Sequence, residues 1–162
     1  MDDWFQNLGA EHPELRYLLV FTDGGVVLTL CGVVFVAALV QRRWRLAAAT
    51  LVTPFVAVMA ARLAKQSFGR LKGGELAYPS GHTALTLAVL AMAVLLFGAA
   101  TWAVMTATLA MTLGVIGQGV TYHYFTDTIG ALFLGSALVC LAVSIAGLDT
   151  CQPRRDGDHS AG

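Results

Sequence analysis

The chain has 162 residues, 57% of them hydrophobic and 12% charged, with a mean hydropathy of +0.70. Soluble domains carry about a quarter charged residues, so this composition excludes an ordinary soluble globule and fits one integral membrane domain. Formal net charge is zero, which provides no field for nucleic acid or for an acidic partner.

The N-terminal "MDDWFQNLGAEHPELR" is acidic and lacks the basic region that opens a secretory signal. It reads as an interfacial helix over 1–16 carrying Trp4 and Phe5. A transmembrane helix needs ~20 apolar residues to cross ~30 Å of hydrocarbon, and five stretches qualify. The first covers about 17–40, with Asp23-Gly24-Gly25 near its outer end, and the basic turn "QRRWR" (41–45) follows. The second covers about 46–64 and contains Pro54, which neighbouring helices can accommodate. A polar segment, 65–81, precedes the third span at about 82–98; the fourth covers about 101–121 and the fifth about 127–147. Between Glu75 and Asp127 there is no Lys, Arg, Asp or Glu. The expected fold is an all-α membrane bundle of about five transmembrane helices in one domain, 1–148, with a polar, disordered cytoplasmic tail at 149–162. Cys31 and Cys140 lie in apolar runs and Cys151 in the tail, so no disulfide or metal-ligand spacing is expected.

Five spans put the 65–81 segment and the 122–127 link on one face. The positive-inside rule is tied, five cations to a side: Arg42, Arg43, Arg45, Arg154 and Arg155 against Arg16, Arg62, Lys65, Arg70 and Lys72. The tie breaks if the second set has another job, while "QRRWR" shows no purpose beyond topology. That turn is then cytoplasmic, in a plasma membrane, and the polar segment is extracytoplasmic.

His82 and His123 sit at span ends on this same face, with Lys65, Arg70, Lys72, Ser80 and Asp127. Ionisable groups near membrane depth are functional candidates by default. Lys65, Arg70 and Lys72 together with the helix N-terminus at Ser80-Gly81 describe a phosphate cradle, since unpaired N–H groups and the helix dipole attract anions. The competing reading makes Ser80 a helix cap and the cations headgroup contacts. His123 and Asp127 are four apart and share a face if the segment is helical, so that the carboxylate fixes the imidazole tautomer. The competing reading makes Asp127 a cap and Tyr122, Tyr124 and Phe125 an interfacial aromatic belt. A His/Asp pair at this spacing also suits a metal, but three nearby cations repel a divalent ion. The inventory suffices for phosphoryl transfer without metal or cofactor.

In this order, "KQSFGRLKGG" from Lys65, "PSGH" from Pro79 and "HYFTD" from His123 resemble the three signatures of the type 2 phosphatidic acid phosphatase family. That family's pattern is Lys, six residues, Arg-Pro; then Pro-Ser-Gly-His; then Ser-Arg, five residues, His, three residues, Asp. The resemblance covers about 65–130. It implies a vanadium haloperoxidase-like helical fold and metal-independent removal of phosphate from a lipid phosphate or diphosphate. It further implies His123 as the nucleophile that forms a phosphohistidine, Asp127 as its orienting carboxylate and His82 as the general acid. Lys65, Arg70, Lys72, Ser80 and the Gly81 amide would bind phosphate. The implied partners are a lipid phosphate substrate and membrane lipids.

The chain departs from that pattern at three points. Lys72-Gly73 stands where the family has Arg-Pro, and Ile116-Gly117 stands where it has Ser-Arg. Gln118 is the nearest polar replacement for that arginine, with Arg62 or Arg70 as substitutes from other helices. Many members resemble a six-span bundle; here either residues 1–16 lie along the interface or a partner subunit of a homo-oligomer covers the exposed face. The rival functions are a catalytically impaired relative that binds or moves a lipid phosphate, and a small transporter or assembly subunit. The last predicts no shared geometry between 65–82 and 123–127.

Overall fold

A computed structural model describes residues 2–69, 71–72, 75–76 and 78–148; the tail from 149 onward, Arg70, Gly73, Gly74 and Ala77 lie outside the described residues. The described chain is helical apart from one two-residue pairing. Helix α1 (Asp2–Glu11) leads into a 3-10 helix, Pro13–Thr22, then α2 (Gly24–Val40) and α3 (Trp44–Phe68). A short antiparallel ladder, β1 (Leu71–Lys72) with β2 (Glu75–Leu76), precedes α4 (Gly81–Leu96), α5 (Thr101–Thr121) and α6 (Phe125–Ala146).

Among the described residues, four helical segments are long and apolar enough to cross a membrane: Pro13–Val40, Trp44–Phe68, Thr101–Thr121 and Phe125–Ala146. The chain is a multi-pass membrane protein. Of the five expected spans, α4 falls short of that length: it is apolar but has 16 residues and rises only ~24 Å. Its position explains its length. It packs against α2, α3, α5 and α6 and buries Ala84, Ala88, Val89, Met92 and Leu96, so it lies at the centre and need not span the hydrocarbon by itself.

The first span is also not one smooth helix. It breaks at Asp23, whose Oδ1 accepts from the Val26 N–H at 3.0 Å and so caps α2. In α3, Pro54 has no N–H to give the Thr50 carbonyl. The Cys31 thiol on α2 donates to that carbonyl instead, at 3.4 Å, as expected where lipid offers no water to a freed backbone group.

At the end away from the candidate site, the basic turn has structural duties. Arg43 Nη1 donates to the carbonyls of Leu95 and Leu96 at 2.9 and 2.8 Å, closing the C-terminus of α4. Arg45 Nη1 donates to the Ala146 carbonyl at 3.4 Å, at the end of α6. A cation at a helix C-terminus satisfies orphan carbonyls and opposes the dipole. The expectation that these arginines serve topology alone is therefore corrected. Replacing Arg43 with alanine is expected to cost about 1.5–3 kcal/mol, the range for hydrogen bonds to a charged group. A thermal melt in detergent checks this, with Arg43→Lys recovering only part because an ammonium lacks the guanidinium fork.

Candidate active site

The local sequence explains how α4 begins. Ser80 is the N-cap, and its Oγ accepts from the Thr83 N–H at 3.4 Å and from the Thr83 hydroxyl at 3.1 Å. Ser80 is buried, so its hydroxyl serves the first turn of α4, as the capping reading expected. The N–H groups of Gly81 and His82 are those that helix geometry leaves unpaired. His82 is exposed beside them.

The α5–α6 connection is a turn, not a helix. Helix α5 ends at Thr121, the His123 N–H donates back to the Gln118 carbonyl at 2.9 Å, and α6 starts at Phe125 with Tyr124 as N-cap. His123 and Asp127 therefore do not share one helical face, because two helices meet between them. Asp127 is fully buried in the first turn of α6, where its Oδ2 accepts from the Tyr124 N–H at 3.2 Å. The carboxylate thus caps α6. A carboxylate offers about four lone-pair sites, so capping leaves capacity for a second partner. His123 is half-buried.

The segments from 65–82 and 123–127 meet. The Ser80 N–H donates to the Asp127 carbonyl at 3.2 Å, joining the Pro-Ser-Gly-His turn to the first turn of α6. A second joint lies beside it. Tyr78 packs over Gly130 so closely that a Cβ there would overlap its ring. The same ring meets Phe68 edge-on, with centroids 4.9 Å apart. Tyr78 thereby ties the end of α3 to the start of α6. Lys65 is half-buried in the last turn of α3, and its carbonyl accepts from the Gly69 N–H at 3.0 Å. Sequence reading missed Tyr78, Phe68 and Gly130; an aromatic residue directly before the Pro-Ser-Gly-His run was the available signal.

The remaining candidates are placed unevenly. Arg70 lies outside the described residues, and Lys72 is described through its backbone pairing with Glu75. His12 pairs with Glu14, Nδ1 to Oε1 at 2.9 Å, between α1 and the 3-10 helix. Arg62 is exposed on α3. Among the described residues, no three His, Cys, Asp or Glu side chains gather as a metal would require.

The position where the resemblance expects an arginine has a steric explanation. A Cβ on Gly117 would lie 2.8 Å from the Leu18 carbonyl carbon and 2.9 Å from the Leu19 nitrogen. The 3-10 helix occupies that space, and the glycine lets its backbone rest on α5. Gln118 is not free to replace the arginine. It is buried, and its Nε2 donates to the Thr22 hydroxyl at 2.8 Å. Its expected role as a phosphate donor is therefore taken by a bond between α5 and the 3-10 helix.

Comparison with known proteins names no family. No family model matches the chain, and neither a curated protein nor a solved structure matches it.

Proposed function

We propose that this chain is a metal-independent membrane phosphatase of the type 2 phosphatidic acid phosphatase kind. Its substrate would be an amphiphilic phosphate: a polyprenyl diphosphate, a polyprenyl-linked sugar phosphate or a glycerophospholipid phosphate. The observation that carries the reading is the Ser80–Asp127 main-chain hydrogen bond. It couples the exposed His82 and the unpaired amides of α4 to the turn holding His123.

In this proposal a ring nitrogen of His123 attacks phosphorus while the bond to the lipid oxygen breaks. His82 gives its proton to the departing oxygen. It then takes a proton from water, which attacks phosphorus and breaks the P–N bond, releasing inorganic phosphate. Asp127 steadies the imidazolium. Lys65, the Gly81 amide and, by resemblance, Arg70 and Lys72 neutralise the equatorial oxygens. With Arg43 and Arg45 engaged as caps, the proposed extracytoplasmic placement rests on Lys65, Arg70 and Lys72 serving phosphate and so standing outside the topology count.

A second reading is favoured by the filled space at Gly117 and the engaged Gln118. Without that charged clamp the chain would bind a lipid phosphate and not cleave it. One experiment separates the two. Purified protein in detergent with EDTA is given phosphatidic acid, farnesyl diphosphate and a polyprenyl diphosphate, beside Lys65→Ala. Phosphate release that Lys65→Ala lowers by about 10²-fold or more, the scale of losing one transition-state donor, supports the phosphatase. Binding without release, weakened by Lys65→Ala, establishes the binder. Release unaffected by Lys65→Ala removes that lysine from the cradle.

A further inference from the structure

Helix α1 has no part in the chemistry proposed above, yet it is firmly placed. Its ten residues rise ~15 Å, about half of a hydrocarbon thickness of ~30 Å, so it does not span. It docks on the residues that flank the turn carrying His123, one on each side. On one side Gly9 lies against the Val120 carbonyl so closely that no Cβ fits between them. On the other, the Phe5 ring lies flat on Phe125, with centroids 4.2 Å apart and planes 5° from parallel. Trp4 meets Phe5 edge-on at 5.0 Å, closing the outer edge of the stack. Phe125 is backed on its other side as well. Behind it stands Gly119, where even a Cβ would be 3.3 Å from the Phe125 ring.

Val120 precedes His123 by three residues and Phe125 follows it by two. We infer that α1 is a strap that positions His123, with Phe5 acting through Phe125 and Gly9 through Val120. The physical need is clear from the turn itself. Only residues 122–124 separate α5 from α6, and a connection outside regular helix is where local opening concentrates. A stacked aromatic pair contributes ~0.5–1.5 kcal/mol beyond its buried area, applied here two residues from the imidazole. The catalytic consequence rests on the phosphatase reading, since a misplacement of ~1 Å can slow a positioned nucleophile ~10²-fold. The docking itself does not depend on that reading.

The test uses the full chain in detergent with 13C-labelled histidine, the His123 ring signal being assigned by its loss in His123→Gln. Phe5→Ala and Phe5→Tyr are compared with wild type. In Phe5→Ala the His123 signal is expected to move or broaden while the His82 signal stays, and Phe5→Tyr is expected to restore it. With phosphatidic acid in mixed micelles, kcat is expected to fall about 10- to 100-fold at unchanged KM, which a purely stabilising role would not produce in folded protein. A His123 signal identical in wild type and Phe5→Ala overturns the strap. If wild type releases no phosphate, the phosphatase reading has failed and the histidine signals alone decide the strap. If Phe5→Ala does not fold, Phe5→Leu keeps an apolar contact without the flat ring, and an unmoved His123 signal there overturns the inference equally.

Discussion

On the proposed phosphatase reading, replacing His123 with alanine is expected to lower phosphate release by at least about 10⁴-fold, since loss of the nucleophile removes the covalent route outright. That corresponds to about 5.5 kcal/mol of barrier. Residual turnover would come from water attacking a phosphate still held by Lys65 and the α4 N-terminus. The fold is expected to survive, because the turn is held by the main chain of His123 bonding to Gln118 and by Phe125 against Phe5. An alkaline quench of wild type with a 32P-labelled lipid phosphate is expected to trap label on His123, and the variant none. His82→Ala gives a complementary pattern. A monoester leaves as a poorly stabilised alkoxide and is expected to lose about 10²- to 10⁴-fold without its general acid. A diphosphate leaves as a phosphate, needs less protonation and loses less. A His123→Ala variant within tenfold of wild type would remove the phosphohistidine from the proposal.

Gly117→Arg would supply the arginine of the pattern that the chain resembles, and it is expected to damage the protein, not improve it. Overpacking costs about 1–3 kcal/mol when side chains can give way. Here the obstacles are main-chain atoms of Leu18 and Leu19, under 3.0 Å from the first added carbon. The 3-10 helix would have to lift from α5, and the Gln118–Thr22 hydrogen bond would break, leaving a buried amide unpaired at about 1–3 kcal/mol. The sum exceeds about 3 kcal/mol, a large share of the ~5–15 kcal/mol that holds a typical domain together. Loss of monodisperse protein in size-exclusion chromatography and a lower thermal midpoint check this, with Gly117→Ala as the smaller step. A well-folded Gly117→Arg protein with tighter phosphate binding would show that the 3-10 helix yields and that the position is a vacant clamp.

Apolar runs made the helices legible, because hydrocarbon tolerates little else over ~20 residues. The expected ends of α5 and α6 fall close to those observed. Where the reading missed, the deciding contact was remote or steric. Lys65-Gln66-Ser67 falls in the polar segment beyond the expected span, yet α3 runs on to Phe68, since a polar turn at a membrane surface continues a helix without difficulty. Arg43 seemed idle because its carbonyl partners lie more than fifty residues away. The four-residue spacing of His123 and Asp127 suggested one helix face, but a spacing rule holds only inside a continuous helix, and here α5 stops and α6 starts between them. Gly117 read as a missing charge, and only the packed 3-10 helix shows why nothing larger sits there. The candidate site is read from motifs, while the aromatic joints beside it, Phe68–Tyr78 and Phe5–Phe125, carry no pattern in the linear chain.

The shortness of α4 also bears on how the protein is assembled in the bilayer. Its C-terminal carbonyls depend on Arg43, from just before α3, and its N-terminal turn depends on the main chain of Asp127 in α6. Backbone groups left bare in hydrocarbon cost several kcal/mol each. During synthesis α3 is already present to receive one end of α4, but the other end has no partner until α6 has emerged. A segment in that position is a poor independent insertion unit. It is expected to insert together with its neighbours, and the joint between Ser80 and Asp127 can form only once α6 has been made.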